Sequence, residues 1–102
     1  MIEFIINLKI WALDETEATD HACEIATNTV KEFADHERIN VFHLEVNPHP
    51  DGYIKIAVEF VAFVTSEDLC LERDNQIHES FQAYLSSRGY KPRLIYPSIP
   101  NR

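Results

Sequence analysis

Three strand-like segments carry side chains that could exchange protons. His43 and Glu45 alternate along one segment, and Lys9 and Glu59 occupy alternate positions of two others. If the segments pair, imidazole, carboxylate and ammonium groups meet on one sheet face, a combination that general acid–base catalysis uses. Cross-strand charge pairing explains the same residues with fewer assumptions, and neither a second histidine nor a nucleophile converges with them. The sequence therefore predicts no catalytic residue.

The five histidines raise the question of a metal site. His21 and Glu24 are three residues apart, and Asp74 and His78 are four apart, so each pair can share one helix face. Two ligands do not hold a metal ion, and the chain has neither a His-Glu-x-x-His motif nor paired Cys-x-x-Cys motifs. We predict no metal and no cofactor.

Hydrophobic periodicity predicts the elements that would position these residues. Alternating apolar residues predict four strands, over residues 2–12, 39–46, 53–64 and 93–96. Helical spacing predicts a first helix from Asp14, capped with the help of Glu17, to about His36. A second helix is expected to start after Thr65 or Ser66. The predicted apolar stripe of the first helix comprises Ala18, Ala22, Ile25, Ala26, Thr29 and Phe33.

Individual residues predict a turn, a helix cap and the two faces of the second strand. Residues 47–52 predict a hairpin turn, because Pro50 presets φ and Gly52 accepts a positive φ. Gly89 is expected as the left-handed C-terminal cap of the second helix, with Tyr90 making the accompanying apolar contact. In the second strand, alternation places Phe42, Leu44 and Val46 on one face and Val41, His43 and Glu45 on the other.

The order of elements, β-α-β-β-α-β, predicts one α+β domain over residues 1–96, followed by a proline-containing tail over residues 97–102. With right-handed crossovers on one sheet, this order resembles the ferredoxin-like sandwich. That resemblance implies a four-stranded antiparallel sheet in the order 4-1-3-2, with two helices on one face. The topology hosts many unrelated functions, so it implies no activity.

Acidic residues concentrate in both predicted helices. Residues 14–37 contain eight of them against Lys31 alone, and the second helix adds five against Arg73 and Arg88. If both helices cover one sheet face, their outer side becomes a broad negative surface that could dock on a basic partner. The alternative is a solvated face that keeps the protein soluble. The predicted partner-binding residues are Glu17, Asp20, Glu24 and Asp74.

The sheet face opposite the helices is predicted to carry more apolar area than a monomer exposes comfortably. A second subunit or a partner protein is the expected cover. The alternative is the tail, with Tyr96 and Ile99 folded back on the sheet. The predicted interface residues on this face are Trp11, Val41, His43, Val61 and Phe63.

Composition disfavours several classes of partner. A formal net charge of −8 disfavours nucleic acid and anionic membranes, and two glycines leave no glycine-rich phosphate loop. The longest apolar run, residues 60–64, is too short to span a membrane, and the first residues do not resemble a signal peptide. Cys23 and Cys70 are expected as reduced thiols inside helices, so a cytoplasmic location is predicted.

These observations favour a small acidic, non-enzymatic protein-interaction module. An inhibitor, immunity or regulatory role against a basic partner fits the acidic helices, and a homodimer fits the apolar sheet face. The alternative is a dimeric small-ligand-binding domain or minor enzyme, with a site at the open sheet face that uses His43 with Glu45 or Glu59.

Overall fold

The computed structural model describes residues 1–13, 20–48 and 53–94, with the backbone alone described at residues 11–13, 20 and 94. Two helices and a sheet confirm the α+β class. The elements are β1 (Ile2–Leu13), α1 (Asp20–Glu37), β2 (Asn40–Pro48), β3 (Tyr53–Val64), a short 3-10 turn (Glu67–Leu69), α2 (Cys70–Ser87) and β4 (Lys91–Leu94). The cap predicted at Asp14 and Glu17, most of the predicted hairpin turn and the tail over residues 97–102 lie outside the described residues.

The strands lie in the order β2-β3-β1-β4. The central pair, β1 and β3, is antiparallel along its whole length, from Ile2 opposite Val64 to Leu13 opposite Tyr53. β2 runs antiparallel to β3 on one side, and β4 pairs with the last residues of β1 on the other. This register decides which side chains from different strands stand next to one another.

The core lies between one face of the sheet and the two helices. α1 packs against β2, and α2 packs against β1 and β4. Three phenylalanines from three elements meet at its centre: the ring of Phe33 lies 4.9 Å from that of Phe81 and 5.7 Å from that of Phe60. The fully buried sheet residues include Ile6, Leu8 and Ile10 of β1 and Ile54, Ile56, Val58 and Phe60 of β3.

The predicted stripe of α1 is correct except at Ile25 among the described residues. Ala22, Ala26 and Phe33 are buried, whereas the Ile25 side chain is 47% exposed. Each helical residue rotates the chain by about 100°, so Ile25 points well to the side of its neighbour Ala26. Val30, which the predicted stripe omitted, is fully buried on the other side of it.

A β-bulge in β2 overturns the predicted placement of Val41 on the open sheet face. Val41 lies opposite Phe60, and His43 lies opposite Glu59, which is the next residue of β3. Phe42 is therefore the extra residue, and its side chain is 66% exposed instead of buried. A bulge reverses the alternation of side chains on one side of it. Val41 consequently packs against the core, while His43 keeps its predicted face.

Both helices end with the same pair of main-chain hydrogen bonds. At the end of α2, Gly89 has φ 92°, as predicted, and the N–H of Tyr90 donates to the carbonyl of Leu85 at 3.1 Å. At the end of α1, Arg38 takes the position of the glycine with φ 58°, and the N–H of Ile39 donates to the carbonyl of Ala34 at 3.0 Å. The first helix thus ends at a left-handed residue that lacks the conformational freedom of glycine.

Ser66 caps the 3-10 turn that leads into α2. Its Oγ accepts a hydrogen bond from the N–H of Asp68 at 3.4 Å. The predicted cap is therefore present one short turn ahead of the helix itself. The two acidic residues that follow, Glu67 and Asp68, lie where the positive end of the helix dipole favours them.

Candidate functional site

The sheet face opposite the helices is lined by alternate residues of the four strands, and we call it the open face. Because side chains alternate along a strand, the residues between the buried ones must point away from the helices. Its described residues are Glu3, Ile5, Asn7 and Lys9 of β1, Asn40, His43, Glu45 and Asn47 of β2, Tyr53, Lys55, Ala57, Glu59, Val61 and Phe63 of β3, and Lys91 and Arg93 of β4.

Two adjacent rows of polar side chains cross the middle of the open face. Asn7, Glu59 and His43 lie side by side on β1, β3 and β2. In the next row, Ala57 of β3 stands between Lys9 of β1 and Glu45 of β2. The structure therefore brings together the four residues that the sequence suggested as an acid–base group.

These two rows enclose a depression of about 200 Å³. Its rim is formed by Asn7, Lys9, His43, Glu45 and Glu59, and Ala57 lies among them. The depression exists because a methyl group stands in the second row between two long side chains. Main-chain atoms of the strands beneath complete its floor.

The histidine and carboxylates of the depression form a solvent-facing group. The Nε2 atom of His43 lies 3.7 Å from Oε2 of Glu45, and the two side chains are 55% and 62% exposed. An exposed pair of this kind is screened by water and contributes little to stability. Within the described ranges, no three His, Cys, Asp or Glu side chains are grouped so that they could hold a metal ion. The group can donate and accept protons or hydrogen bonds.

One end of the open face is apolar. Ile5 is 40% exposed and Phe63 is 45% exposed, and Val61 lies half-buried opposite Ile5. Val61 and Phe63 thus occupy the predicted face together with His43. The backbone of Trp11 lies opposite Lys55 in the same set of alternating positions, towards the other end of the face.

Charge is distributed unequally between the two sides of the molecule. The open face carries three carboxylates, at Glu3, Glu45 and Glu59, against four cations, at Lys9, Lys55, Lys91 and Arg93. Helix α1 alone contains five acidic residues and one lysine, and the segment from Glu67 to Ser87 contains five and one arginine. Among the described residues, the acidic excess therefore lies on the helices, and the open face is close to neutral.

The predicted acidic docking residues do not form one described cluster. Glu24 is exposed on α1. Asp74 is half-buried on α2, with Oδ1 3.6 Å from Nε2 of His78, so its carboxylate already has a neighbour. Glu17 lies outside the described residues, and Asp20 is described in its backbone alone, at the first position of α1.

Two arginines of α2 and its C-cap neutralise acids of α1, a feature that the sequence reading missed. Arg73 lies 3.6 Å from the carboxylate of Glu37, and Arg88 lies 3.2 Å from that of Glu32. Tyr84 joins the second pair, because its hydroxyl donates to Glu32 at 3.2 Å and accepts from Arg88 at 2.7 Å. The four-residue spacing of Tyr84 and Arg88 places them on the same helix face, and this spacing could have indicated their contact from the sequence. These contacts link the two helices and reduce the acidic surface.

Comparisons with protein-family models, with curated proteins and with solved structures find no match to this chain. Among the described residues, neither helix is long and apolar enough to cross a membrane. The geometry of the open face and the charge on the helices are therefore the observations from which a function can be inferred.

Proposed function

We propose that this chain is a non-enzymatic protein-interaction module that self-associates through its open face. The observation that carries the proposal is the apolar end of that face, Ile5, Val61 and Phe63, on a nearly neutral surface. Since the whole chain has a net charge of −8, two copies repel each other when their helices approach. Contact between two open faces avoids this repulsion and covers the exposed apolar side chains.

The size of the open face supports the same proposal. β1 and β3 each contain 12 residues, and β2 contains 9. With about 3.3 Å per residue and about 4.8 Å between strands, the three strands present roughly 500 Å² of projected area. Two such faces bury roughly 1,000 Å², which is the lower limit for a specific protein interface. We expect a dimer of moderate affinity.

We further assign the fold to the ferredoxin-like sandwich. The succession β-α-β-β-α-β and the strand order β2-β3-β1-β4 support this assignment, since the order 4-1-3-2 is the same order counted from the other edge. An architecture with both helices on one face leaves the opposite face available. That availability, and not an activity associated with the fold, is what supports an interaction role.

Light scattering tests the proposal directly. The wild-type chain should show twice its 11.8 kDa mass, and Phe63→Glu should give a folded monomer, because it places a charge in the apolar end. Leu71→Glu is the matched control, since Leu71 is also an exposed apolar residue, at 70%, but lies on α2. It should remain dimeric. A wild-type monomer at every concentration up to about 1 mM, where binding free energy is only about 4 kcal/mol, would overturn self-association.

A basic protein partner is the second candidate, favoured by the exposed acids that the helices retain. Glu24, Asp35, Glu72 and Glu79 are exposed, and an inhibitor, immunity or regulatory protein could use such a surface. The test is charge reversal of Glu17, Asp20 and Glu24 to lysine, followed by affinity measurement against a basic partner recovered with the wild type. An affinity within about threefold of wild type, less than the ~1.4 kcal/mol of a tenfold change, would contradict docking through α1.

A further inference from the structure

The geometry points to a ligand site: we propose that the depression around Ala57 binds a small zwitterion of the free amino acid class, with one ammonium and one carboxylate group. The site lies within a single chain, on the face that a second copy would cover, so the ligand binds the monomer. Each of its rim residues is placed by the paired strands β1, β2 and β3, so the site is built on rigid elements.

Opposite charges stand on opposite sides of the depression. Lys9 on β1 supplies an ammonium group on one side of Ala57, and Glu45 on β2 supplies a carboxylate on the other. Glu59 adds a second carboxylate in the next row, between Asn7 and His43. A ligand with its own two charges can satisfy both sides simultaneously, with its carboxylate at Lys9 and its ammonium at Glu45 and Glu59.

The spacing of the strands fits this orientation. β3 separates β1 from β2, so the bases of Lys9 and Glu45 are about 9.6 Å apart. An α-amino acid has about 3 Å between its nitrogen and its nearest carboxylate oxygen. With a charged hydrogen bond of about 2.8 Å at each end, it bridges groups that are roughly 8–9 Å apart. The 9.6 Å separates backbone positions, and the flexible stems of Lys9 and Glu45, which are both exposed, bring their charged ends to a ligand of this length.

The volume limits the ligand to a small one. Liquid water occupies about 30 Å³ per molecule. The 200 Å³ of the depression therefore corresponds to about six or seven water molecules, which is enough room for a small amino acid such as alanine or serine. Ala57 sets this limit, because any longer side chain at that position would fill the space between Lys9 and Glu45.

Other classes of small ligand fit less well. A simple anion meets the carboxylates of Glu45 and Glu59 as well as Lys9, so the rim is unfavourable for phosphate or acetate. A divalent cation meets Lys9, and within the described residues no three ligating side chains are grouped for a metal. A zwitterion is the class for which each charge of the rim has an opposite charge.

Nuclear magnetic resonance titration of the full chain, at protein concentrations where light scattering shows a monomer, tests the site with glycine, L-alanine and L-serine as probes. Saturable shifts are expected at the amides of residues 7–9, 43–45 and 57–59. Acetate and methylammonium, which each carry one of the two charges, should bind at least tenfold more weakly. Absence of saturable shifts for all three amino acids at about 50 mM, where binding would be worth less than about 2 kcal/mol, overturns the proposal.

Variants locate the binding. Lys9→Met and Glu45→Gln should each weaken it at least tenfold, and Ala57→Leu should abolish it by filling the depression. Lys31→Met, at an exposed lysine of α1, is the control and should bind like wild type. Unchanged affinity in a folded Lys9→Met chain contradicts the site even if Ala57→Leu fails to fold. Binding retained by monomeric Phe63→Glu supports a site within one chain, whereas self-association is judged separately from solution mass.

Discussion

The Nη2 atom of Arg73 donates a hydrogen bond to the main-chain carbonyl of Glu37 across 3.1 Å, which joins the first turn of α2 to the last residue of α1. The same guanidinium donates from Nη1 to Oε1 of Gln76 at 2.7 Å. Carbonyls at the end of a helix have no partner within the helix and carry its negative dipole. Arg73 therefore caps α1 from a neighbouring helix.

Arg73→Met should destabilise the fold by about 1–2 kcal/mol, because it keeps much of the aliphatic stem and removes the donors to Glu37. The pair is partly shielded, with side chains 25% and 21% exposed, so water replaces it incompletely. Urea denaturation measures the change in unfolding free energy. Lys31→Met, which removes a cation from an exposed site of α1, is the control, and equal midpoints for the two variants would contradict a capping role.

Arg38→Gly should stabilise the fold by about 0.5–1 kcal/mol. The left-handed region costs a residue with a side chain about 1–2 kcal/mol, and glycine removes this cost. Glycine's greater conformational freedom in the unfolded chain offsets part of the resulting stabilisation. Arg38 has φ 58° and an exposed side chain, so little is lost with it. Thermal unfolding is the measurement. Arg38→Ala keeps the backbone strain and should match wild type, and the same gain from alanine would show that φ is not the cause.

Gly89→Ala should cost about 1 kcal/mol. A Cβ added at Gly89 meets no atom within 4 Å, so the whole effect comes from its φ of 92°. Gly89→Asn should cost less, because asparagine tolerates the left-handed region better than alanine. Chemical denaturation ranks the three chains, and an asparagine variant that is less stable than the alanine variant would require a steric cause that the structure does not show.

Deletion of Phe42 should leave the fold intact, because removing the extra residue converts the bulge into a regular ladder without moving its neighbours to other faces. Val41 would remain opposite Phe60 and His43 opposite Glu59. Deletion of Leu44 is the control: it reverses the faces of the residues beyond it and should unfold β2. Amide hydrogen exchange of β3 reports both outcomes, and equal loss of protection in the two variants would contradict this account of the bulge.

Regular patterns of burial made most elements predictable. β3 spans the predicted residues 53–64, because every second residue is apolar and fully or nearly fully buried. The cap at Gly89 was predictable for a different local reason, since few other residues accept a positive φ at a helix end. At β4, the predicted start at residue 93 was late, and the structure places the strand at Lys91–Leu94. Few apolar residues alternate in this segment, so the sequence pattern does not show where β4 begins.

Features that depend on a neighbouring strand or helix could not be predicted. The bulge at Phe42 is a relation between β2 and β3, and alternation within β2 alone gives the wrong face for Val41. Arg38 adopts a left-handed conformation at a position where glycine is preferred, so its residue type does not indicate this conformation. The depression was partly predictable: alternation places Lys9 and Glu59 on one face, whereas their neighbours across the sheet follow only from the register.

The unequal distribution of charge has a practical consequence for handling this protein. A molecule whose described acids lie mainly on its helices, opposite a nearly neutral sheet, has a permanent dipole moment directed from the helices to the sheet. On a positively charged chromatography resin or sensor chip it should adsorb with the helices towards the support. Each immobilised molecule would then display Ile5, Phe63 and the depression around Ala57 to the flowing solution.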